Sequence, residues 1–228
     1  MNVLMFGWEF PPFKTGGLGT ACYGLTKGLS RNGVNISFVM PVAPEGAHAD
    51  FVKIVSTEKL AAKIRFKKIN SILTPYVTSD SYYSTYQTLP SGKKAVYGKN
   101  LREEVQRFSI VASEIARKEK HDIIHAHDWL TYEAGINAKK ISKKPLVVHI
   151  HATEFDRTGG NPDQTISHIE YQGLNAADLV IANSNFTKNN VIKHYKINPD
   201  KIRVVHWGID DDYASTKRYT SPLNQQNK

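Results

Sequence analysis

Val3-Leu4-Met5-Phe6-Gly7-Trp8-Glu9-Phe10-Pro11-Pro12-Phe13-Lys14-Thr15-Gly16-Gly17-Leu18-Gly19 is the stretch on which the reading of this 228-residue chain turns. A short apolar run enters a Gly/Pro-rich segment, after which Cys22, Leu25 and Leu29 recur at three and four residues. That order is strand, loop, helix. Glycines at 16, 17 and 19 remove the Cβ atoms that would hold a ligand away from the backbone. A helix starting there aims free N–H groups and a positive dipole end into the loop, and Lys14 adds a full charge. The loop is therefore expected to hold an anion.

Working outward, Asn32-Gly33 stops the helix, and Val34 to Met40 reads as a second strand ended by Pro41. This is a βαβ unit, the building block of a parallel sheet whose ligands sit at the carboxyl ends of its strands. From Pro41 to about Asn100 the pattern loosens, with Phe51–Val55 and Ile64–Ile69 as short strands. Tyr76, Tyr82, Tyr83, Tyr86 and Tyr97 follow between Pro75 and Gly98, their rings suited either to stacking on sugars or bases or to packing on the domain edge. A clear rhythm then returns: helix Leu101–Lys118, strand Asp122–Ala126, helix from Trp129 to about Lys140, strand Leu146–Ile150 and a loop to Pro162. A helix with Ile166, Ile169, Gly173 and Ala177 on one face, strand Asp178–Ala182, a helix capped by Ser184 and a strand Lys201–Val205 complete it. Such alternation predicts an α/β, doubly wound parallel sheet in one domain over 1–210. Residues 211–228, with little to bury, are expected to be a mobile tail or the start of an interdomain linker.

The formal charge of +9 fits an anionic partner, but the lysines are scattered in small clusters without a basic stripe, so nucleic acid is not expected. Cys22 is the only cysteine, which rules out an intrachain disulfide and suits a reducing compartment. Its neighbours place it on a packed helix face. The first residues lack a basic n-region, and their apolar run is too short for a signal peptide or membrane span. The expected location is cytoplasmic.

Dinucleotide chemistry is disfavoured because Cys22 stands where a third glycine would be, and the second strand ends in Met40-Pro41 without an acidic residue for a ribose. No Gly-Lys-Ser/Thr follows the loop, which removes a P-loop enzyme. His125-Ala126-His127 and His149-Ile150-His151 each put two imidazoles on one side of a strand, as some metal hydrolases do. Since no further ligand pattern completes either pair, they are read as satisfied core or loop histidines, with no metal. What remains is a cleft at the strand ends lined by Lys14, Gly16, Gly17, Asp128 and His151, with Glu154 and Arg157 as further candidates. In isolation, Asp128 reads as a helix N-cap before Trp129 and Arg157 as a surface ion-pair partner.

The segment Trp8 to Gly19, with its Lys14-Thr15-Gly16-Gly17-Leu18, resembles the Lys-x-Gly-Gly-Leu loop of bacterial glycogen and starch synthases and related retaining glycosyltransferases. His125-Ala126-His127-Asp128-Trp129 is similar to their His-x-His-Asp-Trp segment, and Val147 to Glu154 to their strand and histidine loop. Ala176 to Ser184, with Lys201 to Asp210, resembles the usual close of their N-terminal domain. The resemblance implies the Rossmann-like N-terminal half of a GT-B architecture, transferring glucose from ADP-glucose or UDP-glucose to an α-1,4-glucan with retention. It implies that Lys14 and the amides of Gly16 and Gly17 approach the donor diphosphate, that Asp128 lies on the acceptor side and His151 near the transferred sugar. It calls for no cofactor or metal. Trp207 departs from the family, which commonly has Asn there. The family's C-terminal domain has no counterpart after Asp210, so the chain is expected to fold alone and to lack measurable transfer. A non-catalytic glycan-binding or regulatory module and a metal-dependent hydrolase are the alternatives.

Overall fold

Apolar runs at the sheet-forming positions become seven parallel strands among the described residues of a computed structural model, which are 1–11, 17–41, 49–57 and 101–208. Lys14, Gly16, the expected strand at 64–69, the tyrosine-rich tract at 75–98 and the tail at 211–228 lie outside them. The strands are β1 (Asn2–Phe6), β2 (Asn35–Met40), β3 (Lys53–Ser56), β4 (Ile123–His127), β5 (Leu146–Ile150), β6 (Leu179–Ala182) and β7 (Ile202–Val204). Their spatial order is β3-β2-β1-β4-β5-β6-β7. The doubly wound sheet expected from the alternation of elements is therefore present, and its direction of winding reverses between β1 and β4.

Helices α1 (Gly17–Arg31), α2 (Leu101–Lys118), α3 (Trp129–Ser142), α4 (Glu154–Arg157), α5 (Gln164–Ala176) and α6 (Asn185–Tyr195) complete the described architecture. Right-handed crossovers on either side of the reversal place α1 on one face of the sheet and α3 and α5 on the other. Inner strands covered on both faces read as continuous apolar runs. All five residues of β5 are buried accordingly, as are four of the five in β1.

Local chemistry explains the helix ends. In α2, Glu103 and Glu104 lie in the first turn and Arg117 and Lys118 in the last, each opposing the helix dipole, while Val105, Phe108, Ala112 and Ile115 turn inward. Phe108 meets Trp8 edge-on at 5.4 Å and Phe6 at 5.9 Å between ring centres, so α2 is keyed to the end of β1. Gly7 is required by a close approach: a Cβ there would stand 2.1 Å from Cζ of Phe38. Ser184 caps α6, its hydroxyl accepting from the Thr187 amide at 3.1 Å, as its sequence position predicts.

The stretch between β5 and Pro162, expected to be loop, contains the single turn α4. A capping box nucleates it, with the Thr153 hydroxyl accepting from Asp156 N–H and the Asp156 carboxylate accepting from Thr153 N–H.

Candidate functional site at the strand ends

The winding reversal leaves a crevice beyond the carboxyl ends of β1 and β4, the position where open α/β sheets bind ligands. Beyond the strand ends come Glu9 after β1, Asp128 after β4, His151 after β5, Asn183 after β6 and Trp207 after β7, of which His151, Asn183 and Trp207 line an open groove. Gly17, the first residue of α1, and His151 border one open groove of about 770 Å³, whose walls also include Thr20, Gly24, His149 and Trp207. A groove of that size holds a small ligand. It brings the described end of the glycine loop and the histidine loop, 134 positions apart in sequence, onto one surface.

Asp128 does not act as the N-cap its position suggests. Its side chain makes no capping hydrogen bond, and its backbone sits at φ 57°, ψ 169°. Such a conformation in a non-glycine residue costs on the order of 1–3 kcal/mol and persists where surrounding bonds enforce it. Those bonds are the Asp128 N–H donating to the His149 carbonyl at 3.0 Å and the Thr131 N–H donating to the Asp128 carbonyl at 3.0 Å. The carboxylate is thereby turned across the strand ends, where Oδ1 accepts the His151 N–H at 2.8 Å. The other side of His151 is held too: its carbonyl accepts from Asn183 Nδ2 at 2.8 Å, and Asn183 Oδ1 accepts from the Thr187 hydroxyl at 2.7 Å. His151 Nε2 lies 3.1 Å from His127 Nδ1. Backbone and ring of His151 are fixed from the ends of the two flanking strands, β4 and β6.

The two histidine pairs form one face. His127 is in register with His149, which sets the pairs side by side. Ring centres are 4.3 Å apart for His125 and His127, 5.1 Å for His127 and His149, and 4.5 Å for His149 and His151. Trp207 covers this face at the groove, stacked on His149 at 5.0 Å and on His151 at 4.8 Å, and is 36% exposed. Burial disfavours the imidazolium, pushing His125 down to about 3 and His127 and His149 well below their ordinary value. His151 is also lowered by burial, with Asp128 working in the opposite direction. The expectation of fully satisfied histidines is not met. Nε2 of His125, Nε2 of His127 and both ring nitrogens of His149 are buried without a hydrogen-bond partner.

Arg157 and Glu154 turn away from the cleft. The Arg157 side chain is 8% exposed, so it is no surface partner, and it donates from Nε to Glu154 at 3.0 Å, from Nη1 to the Ala152 carbonyl at 2.7 Å and from Nη2 to Glu170. Glu170 also accepts from the Glu154 N–H at 2.9 Å and from the Tyr195 hydroxyl. Burial pushes the Glu170 carboxyl up to about 7 against the pull of Arg157. Burial opposes the Arg157 cation as well, but Glu170, Asp128 and Glu154 outweigh it and hold its pKa above the usual value. The network anchors the backbone that follows His151.

Cys22 is buried as expected, and burial first, with Asp128 and Glu9 adding to it, pushes its thiol pKa up. Sequence reasoning passed over Glu9, Asn183 and the stacking of Trp207. Glu9 is buried against the start of α1, where a Cβ on Gly19 would lie 3.2 Å from Glu9 Cβ. Asn183 directly follows β6, and Glu9 and Trp207 stand three residues beyond the ends of β1 and β7, so nearness to a strand's carboxyl end was the available signal.

An uncharacterized glycosyltransferase of Methanocaldococcus jannaschii is 28% identical to this chain over 215 residues, covering 92% of the chain and 47% of that protein. A glycogen synthase of Pseudothermotoga lettingae is 29% identical over 195 residues, covering 76% of the chain and 36% of that protein. The chain thus spans about half or less of the length of these curated relatives. Among solved structures, sucrose-phosphate synthase from Thermosynechococcus elongatus superposes with a TM-score of 0.62 at 15% identity, over 92% of this chain and 48% of that one. The catalytic domain of starch synthase IV from Arabidopsis thaliana, bound to ADP and acarbose, superposes with a TM-score of 0.53 at 16% identity, over 97% and 54%. These neighbours share the Rossmann-like sheet of the GT-B fold. Among the described residues no helix is long and apolar enough to cross a membrane. Residues 15–213 match the model of Glycosyltransferase Family 4, and the chain belongs to that family of glycosyltransferases.

Proposed function

We propose that this chain is the acceptor-side, N-terminal domain of a glycogen/starch-synthase-like enzyme that transfers glucose from ADP-glucose or UDP-glucose to an α-1,4-glucan with retention. The observation that carries the reading is the groove shared by Gly17 and by His151, whose amide is clamped by Asp128. Breaking the bond between a sugar and a diphosphate builds negative charge on the leaving group and positive charge at the anomeric carbon. Fixed donors aimed at the first lower the barrier most. The amides of Gly16 and Gly17, the start of α1 and the Lys14 ammonium are assigned to the diphosphate. His151, whose imidazolium burial disfavours, is assigned to the transferred sugar, and Asp128 to the acceptor side, where it fixes His151 in place. Nothing in this assignment needs a metal. Gripping the nucleotide and completing the cleft are assigned to a second, C-terminal domain, and the protein is placed in the cytoplasm.

The test uses this polypeptide with ADP-glucose or UDP-glucose and malto-oligosaccharide acceptors. No turnover is expected, together with weak oligosaccharide binding that is lost in Asp128→Ala and His151→Ala. Robust transfer by the polypeptide alone, or binding indifferent to both substitutions, would overturn the half-site assignment.

A further inference from the structure

Of the four-histidine face, the transfer chemistry assigned above uses His151 alone. The sheet does something with the other three that sequence spacing does not reveal. Parallel pairing of β4 with β5 places His127 opposite His149, so two pairs that separately make no ligand set become one cluster. One ring nitrogen from each of His125, His127 and His149 lies within 4.8 Å of the others. All three residues are buried, and four buried nitrogens without a hydrogen-bond partner belong to these same rings. A buried polar atom without a partner costs about 1–3 kcal/mol, so four in one place need an explanation.

We propose that His125, His127 and His149 bind one transition-metal ion of the zinc, cobalt or nickel class. This proposal is independent of the assigned transfer reaction. Three imidazoles with no carboxylate among them suit such borderline ions and not magnesium or calcium, which take oxygen ligands. His127 is prepared for the role: with its Nδ1 engaged by His151 Nε2 at 3.1 Å, its Nε2 is left to face an ion. Three nitrogens at about 2.0–2.1 Å from a tetrahedral ion are roughly 3.3 Å apart, so the cluster, whose nitrogens lie within 4.8 Å of one another, tightens on binding. The His125 and His149 rings are parallel to within 3°, and one of them must turn about its Cβ–Cγ bond to point its lone pair at the ion. That torsion is a soft one. His149 borders the groove beneath Trp207, which provides the way in.

The experiment takes the chelator-treated 228-residue chain and titrates it with Co²⁺ and Zn²⁺. The readouts are the visible absorption of bound cobalt, metal per chain after gel filtration, and Trp fluorescence, since Trp207 stacks on a ligand ring. One ion per chain is expected, with a nitrogen-ligand cobalt spectrum free of thiolate charge transfer. Affinity should fall at least about tenfold in His127→Gln and in His149→Gln and stay unchanged in His168→Gln, which alters an exposed histidine. Absence of stoichiometric binding to the wild-type chain overturns the proposal, as does binding that survives both core substitutions. If those variants fail to fold, the wild-type stoichiometry and cobalt spectrum decide the matter alone.

Discussion

A backbone angle of 57° at Asp128 is the clearest sign that one residue has been placed for its side chain. The strain is maintained because the carboxylate reaches the His151 N–H, and a buried amide deprived of its acceptor costs about 1–3 kcal/mol. Asp128→Ala should therefore lower unfolding free energy by roughly that amount, measured by urea denaturation, and release the His151 loop. Asp128→Asn keeps an acceptor oxygen and should retain most of the stability. An alanine variant as stable as wild type would show that the clamp does not hold the loop. The strand ending before Asp128 and the apparent cap ahead of Trp129 were both legible in the chain. The actual direction of the carboxylate was not, because it depends on a hydrogen bond to a strand 23 residues away.

Between elements, α3 and α5 meet through Gly173, where a Cβ would stand 2.3 Å from Cδ2 of Tyr132. The Tyr132 hydroxyl in turn donates to the His149 carbonyl at 3.2 Å, so this helix contact supports the histidine face. Gly173→Ala should destabilise by about 1–3 kcal/mol through overpacking, seen as a lower urea midpoint with unchanged slope. Helical periodicity had placed Gly173 on the buried face of α5, but only packing against Tyr132 explains why a side chain is excluded. Glu170, on the same helix, gives a prediction in pH. Its carboxyl ionises at about 7 in the folded chain against an ordinary 4.5, so between those values the folded state keeps a proton that the unfolded chain has released. Its contribution to stability is present below pH 4.5 and lost as pH rises through 7. The wild-type chain should therefore lose stability relative to Glu170→Gln across that interval, in melting curves taken side by side. A constant difference would mean that Arg157 keeps the carboxylate ionised throughout.

For the molecule as a whole, the buried imidazoles set an opposite dependence. Their folded pKa values are depressed, to about 3 for His125, while an unfolded histidine titrates near 6.5. The unfolded chain thus binds more protons as pH falls below 6.5, and the stability these rings contribute is present above that value and lost toward 3. With several histidines set against one glutamate, the metal-free chain should melt at progressively lower temperature on acidification from pH 7 to 5. His149→Gln should flatten the slope, and a melting temperature independent of pH over that range would refute the account. Much of the sheet was legible before any tertiary contact was known. Apolar runs and glycine stops located β1, β2, β4 and β5, and four ordered motifs, beginning with the loop at Lys14 to Gly19, carried the resemblance to sugar transferases. Such signals are local, written in side-chain periodicity and backbone permissiveness. Strand order is not local, and it alone made one face of two histidine pairs and laid Trp207 over His149 and His151. Both contacts join residues separated in sequence by whole elements, and their energies exist only once parallel pairing has brought the strand ends together.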